Sequence, residues 1–417
     1  MTATDLPARH GAERRGQAPG RAVLALLGLL LLAACGSLPR NAAPQRGELV
    51  ASIPGLPGIR AWAGRSSPAL EADLIESFRQ ESEADFPPAA DGTVHYAHLA
   101  LSGGGANGAF GAGFLNGWTS SGKRPVFKIV TGVSTGALMA PFAFIGPEYD
   151  DALRKFYTTT RTRDIFVVGS VLWRLIAGEA LADTRPLQEL IARHVDDELL
   201  RRVAEAHGRG RRLYIGTTDL DMTRFVVWNM GLIASSGGPD ALALFRKVML
   251  ASASIPLAFP PVLFEVELQA GGPRYDEMHV DGGVGARVFF NSGVFRDSLV
   301  RERGGNGGSG YEDIFIIHNG QLVPPPEPVS RSLAAIAARV IDTAGRSAVI
   351  GDLFRIYAFA QRTQSGYQWI TIPQDVTVGG EEVFDPAAMK SLYDAGYRLA
   401  TNGGGWFTRP PGNSNDP

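Results

Sequence analysis

The pentapeptide Gly132-Val133-Ser134-Thr135-Gly136 sets a hydroxyl between two glycines, the G-x-S-x-G spacing in which a serine can act as a nucleophile. The apolar run V-F-K-I-V-T leads into it and A-L-M-A-P-F-A-F leads out. A strand that enters and a helix that leaves meet at a sharp turn, which glycines permit and which lifts the serine above a sheet. The same residues suit a plain loop serine capping a helix that starts near Ala137. On this segment alone, covalent catalysis and helix capping both stay open.

Gly103-Gly104-Gly105-Ala106-Asn107-Gly108 also lies between an apolar strand, H-Y-A-H-L-A-L-S, and a helical pattern. Without side chains, backbone N–H groups can converge on one small volume, which suits a phosphate or the oxyanion of a tetrahedral intermediate. The string also fits G-x-G-x-x-G, but a dinucleotide site expects an acidic residue some 20 positions on, and V-F-K-I-V-T supplies none. No phosphate-binding G-x-x-x-x-G-K-[ST] loop is present. A third segment, Asp281-Gly282-Gly283, ends a short strand. Two glycines after an aspartate let it approach another loop closely, and they equally suit a simple turn.

In this order the three segments resemble the patatin-like phospholipase family, which pairs a glycine-rich loop, a G-x-S-x-G elbow and a downstream D-G-[GA] motif. The stretch A-S-A-S-I-P-L-A-F-P-P-V at 251–262 is similar to the family's segment ahead of the aspartate, and F-D-P-A-A-M-K-S-L-Y-D-A-G-Y-R-L-A resembles the tail of its bacterial lipoprotein members. The resemblance spans about 95–320. It implies an α/β three-layer fold with a mainly parallel central sheet flanked by helices, and hydrolysis of lipid carboxylic esters. It also implies roles: Ser134 as nucleophile, Asp281 as base, Gly103, Gly104 and Gly105 as oxyanion donors, and Gly108, Gly132, Gly136, Gly282 and Gly283 as motif glycines. No metal or other cofactor is required. The chain departs from the family pattern at Asn107, where Arg or Lys is usual, so its first loop is uncharged. That departure motivates a second reading, an inactive membrane-tethered scaffold that binds lipid or protein.

A Ser-Asp-His triad is the mechanistic rival, and His318 is the histidine that follows Asp281. His279 would share a strand face with Asp281, as a neighbour of the site or as a hydrogen-bonded structural residue. Asp219 and Asp221 in T-D-L-D lack companion ligands in sequence and read as a turn. The apolar stretch 257–264 reads as core or as the lining of an acyl pocket.

These residues need a frame. Strand patterns at 212–218, 225–229, 312–317 and 367–372 alternate with helical patterns at about 109–121, 150–157, 185–206 and 240–252, so we expect one α/β domain over 93–402. Residues 36–68 are rich in Pro, Gly, Ala and Ser and read as an extended tether within an N-terminal extension, 35–92, in which a short helix spans 69–79. R-G-G-N-G-G-S-G at 303–310 reads as a flexible loop, P-P-P-E-P at 324–328 as a stiff surface connection, and 403–417 as a frayed tail.

The chain has 417 residues, 45% hydrophobic and 20% charged, which is globular composition. A formal charge of -2 with no basic block argues against a nucleic-acid partner. Residues 1–34 combine early arginines with an apolar run from Ala22 to Ala34, short of the ~20 residues a spanning helix needs, so they read as a secretory signal. The single cysteine, Cys35, follows Leu32-Ala33-Ala34, which resembles a bacterial lipobox. Cys35 is therefore expected to be acylated, anchoring the protein outside the cytoplasm with membrane lipids as both anchor and substrate. Ser37 points to the outer membrane if the source is Gram-negative.

Overall fold

Strands β2 (Val94–Leu101), β3 (Phe127–Val133), β6 (Arg212–Asp219), β10 (Gly310–Ile317) and β11 (Gly366–Ile370) pair in parallel in the order β6-β3-β2-β10-β11. In the computed structural model, residues 39–45, 51–168, 180, 182–290, 292–303 and 310–412 are described. Antiparallel additions attach to β6: β7 (Arg224–Asn229) carries β1 (Arg60–Trp62), and β9 (Arg274–Asp281) carries β8 (Val262–Glu267). The result is a nine-stranded mixed sheet, with a separate two-stranded ribbon of β4 (Val167–Val168) and β5 (Ala182–Asp183).

Alternation along the strands divides the core in two. Leu99, Leu101, Val130, Leu213, Ile215 and Ile317 face one side, under the helices Gly108–Ser120, Thr135–Ile145, Asp197–Gly208, Ala241–Ser252 and Pro386–Thr401. Tyr96, Ala100, Ile129, Tyr214, Ile314 and Ile316 face the other, under Pro68–Arg79, Ser292–Arg303 and Leu333–Thr363. A parallel sheet covered on both faces needs strands apolar on both sides, as V-F-K-I-V-T and E-D-I-F-I-I had suggested. The expected α/β three-layer arrangement is what the chain adopts.

Several local expectations need correction. Part of the expected tether is docked: β1 extends the sheet edge, Ser52 exchanges two backbone hydrogen bonds of 2.9 Å with Glu267, and Arg40 pairs with Asp221 at 2.7 Å. Proline and glycine exclude regular helix there, but Ile53 and Ile59 still bury. The expected frayed tail is anchored as far as Arg409. Trp406 packs on Phe114, Trp118 and Phe315, Phe407 bridges to Trp369, and the Arg409 carbonyl accepts the Trp369 indole N–H at 2.7 Å. The helical pattern at 185–206 is two helices, Arg185–His194 and Asp197–Gly208, because Asp196 caps the second through the Leu199 amide at 2.9 Å. Gly310, read as loop, opens β10, while 304–309 and the segment holding Cys35 and Ser37 lie outside the described residues.

The helix Pro386–Thr401 lies against Gly108–Ser120 so closely that glycine is required. A Cβ on Gly113 would collide with the Tyr393 carbonyl, and one on Gly396 with the Phe110 carbonyl.

Candidate active site

One strand brings Ser134 and Asp281 together. β3 pairs along one edge of β6 as far as Val133 opposite Gly216, and β9 arrives antiparallel on that same edge with Asp281 opposite Thr217. The two strand ends therefore meet at consecutive residues of β6. Ser134 follows one and Gly282 follows the other. A Cβ on Gly282 would collide with the Gly216 carbonyl and sit 3.1 Å from Val133 Cγ1, so only glycine permits this junction.

Ser134 adopts φ 55 and ψ -125, a conformation that costs a non-glycine residue about 1–3 kcal/mol and that points its side chain off the strand axis. The turn is held from both sides. A Cβ on Gly132 would stand 2.5 Å from the Gly136 carbonyl oxygen, and the Ser134 amide donates to Ser252 Oγ at 3.0 Å. Ser252 in turn donates to the Gly216 carbonyl at 2.7 Å. Thr135 Oγ1, at the start of the following helix, bonds the Tyr157 hydroxyl at 2.7 Å. The Ser134 side chain makes no capping bond, so of the two readings of this serine, helix capping is not the one adopted.

Asp281 is buried. Its Oδ1 accepts the Gly283 amide at 2.7 Å and its own amide donates to the Ser254 carbonyl at 2.8 Å. Oδ2 is buried and accepts no well-formed hydrogen bond among the described residues. Burial pushes the carboxyl up to about 6, against the opposing pull of the nearby Ser134 hydroxyl, the Gly283 amide and the Arg287 charge. The hydroxyl is thus close enough to bias the acid without a formed bond, an arrangement that commonly tightens once substrate arrives.

The glycine-rich loop lies between β2 and the helix Gly108–Ser120, with Gly103 packed on Ser134: a Cβ there would be 3.1 Å from Ser134 Cβ. Its three expected oxyanion donors are not equivalent. The Gly103 amide donates to the Arg287 carbonyl at 3.3 Å, whereas those of Gly104 and Gly105 donate to no group among the described residues. The expectation for Gly103 is therefore corrected: the Arg287 carbonyl, six residues beyond Asp281, already takes its amide, leaving those of the next two glycines. Gly105 has φ 57, and a Cβ on Gly104 would stand 2.7 Å from Asn319 Cβ. Asn319 fixes the loop from behind, accepting the Gly111 amide at 3.1 Å and donating to the Ser102 carbonyl at 3.0 Å.

With this geometry in view, residues 99–292 match the family model of the patatin-like phospholipases. The chain carries a patatin-like phospholipase domain. The chemistry that goes with this family is lipid hydrolysis. Among curated proteins, none matches the chain in sequence. Among solved structures it is similar to VipD from Legionella pneumophila, at 14% identity and a TM-score of 0.37 over 76% of this chain and 69% of that one. It is also similar to the type III effector protein ExoU, at 13% identity and a TM-score of 0.36 over 78% of this chain and 57% of that one. This chain therefore spans less than two thirds of ExoU.

The histidines stand apart from Ser134 and Asp281. His318 Nδ1 meets Ser102 Oγ at 3.1 Å, and burial pushes the imidazole down to about 4. His279 Nδ1 meets Thr217 Oγ1 at 2.8 Å and its Nε2 meets Glu277 at 3.2 Å, so it is the hydrogen-bonded structural residue. No histidine bonds Ser134 or Asp281 among the described residues.

Asp219 does have companions in the fold, contrary to its isolation in sequence. It joins Glu277 and His279 in a buried group whose ligand atoms lie within 4.8 Å of one another. A cation fits poorly there. Arg60 already pairs Glu277 at 2.5 Å, and both His279 nitrogens are engaged.

Beside Ser134 and Gly105 the patatin-like domain has an apolar cavity of about 30 Å³, lined by Leu138, Phe156, Ile165, Leu187, Phe259 and Met389 among others. Phe384 also reaches it, so the wall draws on residues far beyond 292. Ligand pockets typically hold roughly 300–1,000 Å³, so this cavity is far smaller than a ligand site. Of the stretch 257–264, Phe259 lines this cavity while Phe264 packs on Trp228 and His279 in the core. Ser252, Asn319 and Arg287 were missed in sequence. Ser252 lay within A-S-A-S, already singled out, but its partner Ser134 is 118 residues away.

Proposed function

We propose that this protein hydrolyses carboxylic esters of lipids with Ser134 and Asp281 as a dyad. The observation that carries the reading is the buried Oδ2 of Asp281, free of other donors, beside the Ser134 hydroxyl. Ser134 Oγ attacks the ester carbonyl as its proton passes to Asp281. The carbonyl oxygen becomes an oxyanion facing the amides of Gly104 and Gly105. Collapse forms the Ser134 acyl ester and expels the alcohol, which takes the proton back from Asp281. Asp281 then removes a proton from water, and the resulting attack frees the fatty acid and restores Ser134. A carboxylate near its ordinary pKa of 3.8 is a weak base for a hydroxyl, and burial raises its basicity toward what the step needs. Acylated Cys35 would hold the enzyme on the membrane that supplies its substrate. Among the described residues no helix is long and apolar enough to cross a membrane.

The test is labelling by a fluorophosphonate together with turnover of p-nitrophenyl butyrate. Wild type should show both and Ser134→Ala neither. Correctly folded wild-type protein that shows neither favours the scaffold reading.

A further inference from the structure

We propose that Arg287 reads an anionic group on the substrate, the phosphodiester of a phospholipid, and so sets a preference for phospholipid over uncharged lipid ester. This inference rests on the dyad reading above.

The main chain of Arg287 is fixed independently of its side chain. Its carbonyl accepts the Gly103 amide at 3.3 Å, while its amide and that of Val288 donate to Asp352 Oδ2 at 2.7 and 3.1 Å. The side chain does something different. It is partly buried, its Nε is buried without a hydrogen-bond partner, and its guanidinium forms no ion pair or hydrogen bond with any described residue. Leaving such a group unsatisfied is costly, and the protein does not do so with its other sunken arginines. Arg60 engages Glu277 and the Ala51 carbonyl, and Arg124 engages Asp150 and the Ala143 carbonyl. Arg211 engages two backbone carbonyls, and Arg212 engages Asp73 and Gln80. Arg287 alone among these five keeps its fork open.

The fork lies at the dyad. Nη1 is 3.5 Å, and Asp281 Oδ1 2.9 Å, from the point where a Cβ on Gly283 would stand, so guanidinium and carboxyl share one glycine. On its other side Nη2 runs against Gly345 of the helix Leu333–Thr363, where any side chain would collide with it. Gly345 thus leaves the space that the guanidinium occupies. The loop Gly103–Gly108 carries no charge of its own, and the lining of the apolar cavity does not include Arg287. A lipid with its acyl chain in that cavity and its carbonyl over Ser134 thus has a cation available for its head. A planar guanidinium binds a phosphate in a bidentate manner, which gives geometric selection as well as charge.

The experiment compares kcat/KM for dioleoylphosphatidylglycerol and dioleoylglycerol in the same neutral-detergent micelles, for wild type, Arg287→Gln and Arg287→Lys. Arg287→Gln should lower the phospholipid-to-diacylglycerol ratio about ten- to a hundredfold, chiefly through KM, as loss of one charge-assisted contact implies. Arg287→Lys should restore part of that ratio. Equal loss on both substrates would mean the charge acts through Asp281 or the loop, and no loss on either would mean the guanidinium is idle; each overturns the proposal. A wild type that cleaves dioleoylglycerol but not the phospholipid overturns it as well. A wild type inert on both lipids and unlabelled by a fluorophosphonate would sink the dyad reading, and this one with it.

Discussion

Ser252 holds Ser134 by its main chain, accepting its amide at 3.0 Å while donating to the Gly216 carbonyl at 2.7 Å. The strained φ of Ser134 persists because this side chain spans from the elbow to β6. Ser252→Ala leaves a buried N–H and a buried C=O each without its partner, at about 1–3 kcal/mol per group. We expect a lower Tm and a kcat reduced about tenfold or more, with KM nearly unchanged. A kcat equal to wild type at a lowered Tm would show that the link serves the fold alone.

Ser134→Ala and Asp281→Asn should each lower kcat/KM on p-nitrophenyl butyrate by at least ~10², the usual contribution of a general base. The double variant should be little worse than the worse single, since groups acting as a unit are not additive. His318→Ala and His279→Ala should lose no more than about tenfold, because neither touches the dyad and a whole base contributes ~10² or more. An Asp281→Asn protein with a third of wild-type activity ends the dyad assignment.

The raised pKa of Asp281 has two pH consequences of opposite sign. The base must be ionised, so kcat/KM should climb with pH through about 6 and level off above it. Stability runs the other way. The folded carboxyl keeps its proton to about 6, whereas the ordinary value is 3.8, so its favourable contribution is complete below 3.8 and is lost as pH rises through 6. Asp281→Asn should therefore be more stable than wild type at pH 8, by about 1–3 kcal/mol, with the gain shrinking toward pH 4. Urea unfolding at both pH values measures it, and a variant less stable than wild type at pH 8 contradicts the assigned burial cost.

Gly104 and Gly105 should differ in how they tolerate alanine. On Gly104 the new Cβ meets the main chain of Asn319, so the loop must move, and loss of one aligned donor costs about 10²–10³ in kcat. On Gly105 it meets open space and carries only the strain of φ 57, about 1 kcal/mol. Steady-state kinetics of the two variants, with circular dichroism to confirm the fold, should rank Gly104→Ala far below Gly105→Ala.

Cys35→Ser should release the protein from membranes if the lipobox-like segment is processed as expected. Fractionation of cells producing each form, and the N-terminal mass of the wild type, test this. An unmodified chain beginning at Met1 in the membrane fraction rules it out.

The parallel centre of the sheet and the three glycine-bearing turns were legible because each is written locally, in an apolar run that ends on small residues. The antiparallel additions were less so. β1 has only three residues, and the direction in which β9 runs depends on pairing with a strand more than fifty residues earlier. The two helices at 185–206 share one apolar periodicity, so only the capping Asp196 marked the break. In the site, residue types announced Ser134 and Asp281, but nothing near Gly103 in sequence indicates that the carbonyl of Arg287 takes its amide. Ser252 and Asn319 were hidden for the same reason: each acts through a hydrogen bond to a residue more than a hundred positions away.

The cavity wall supplied by Phe384 and Met389 lies outside the segment that carries the family motifs. If this cavity takes the acyl chain, its shape is inherited on two stretches of one gene, the motif-bearing segment and a second one near the C-terminus. A mutation near the C-terminus can reshape the cavity while Ser134, Asp281 and the glycine loop pass unchanged to the next generation. Descendants of this chain can diverge in diet before they diverge in chemistry.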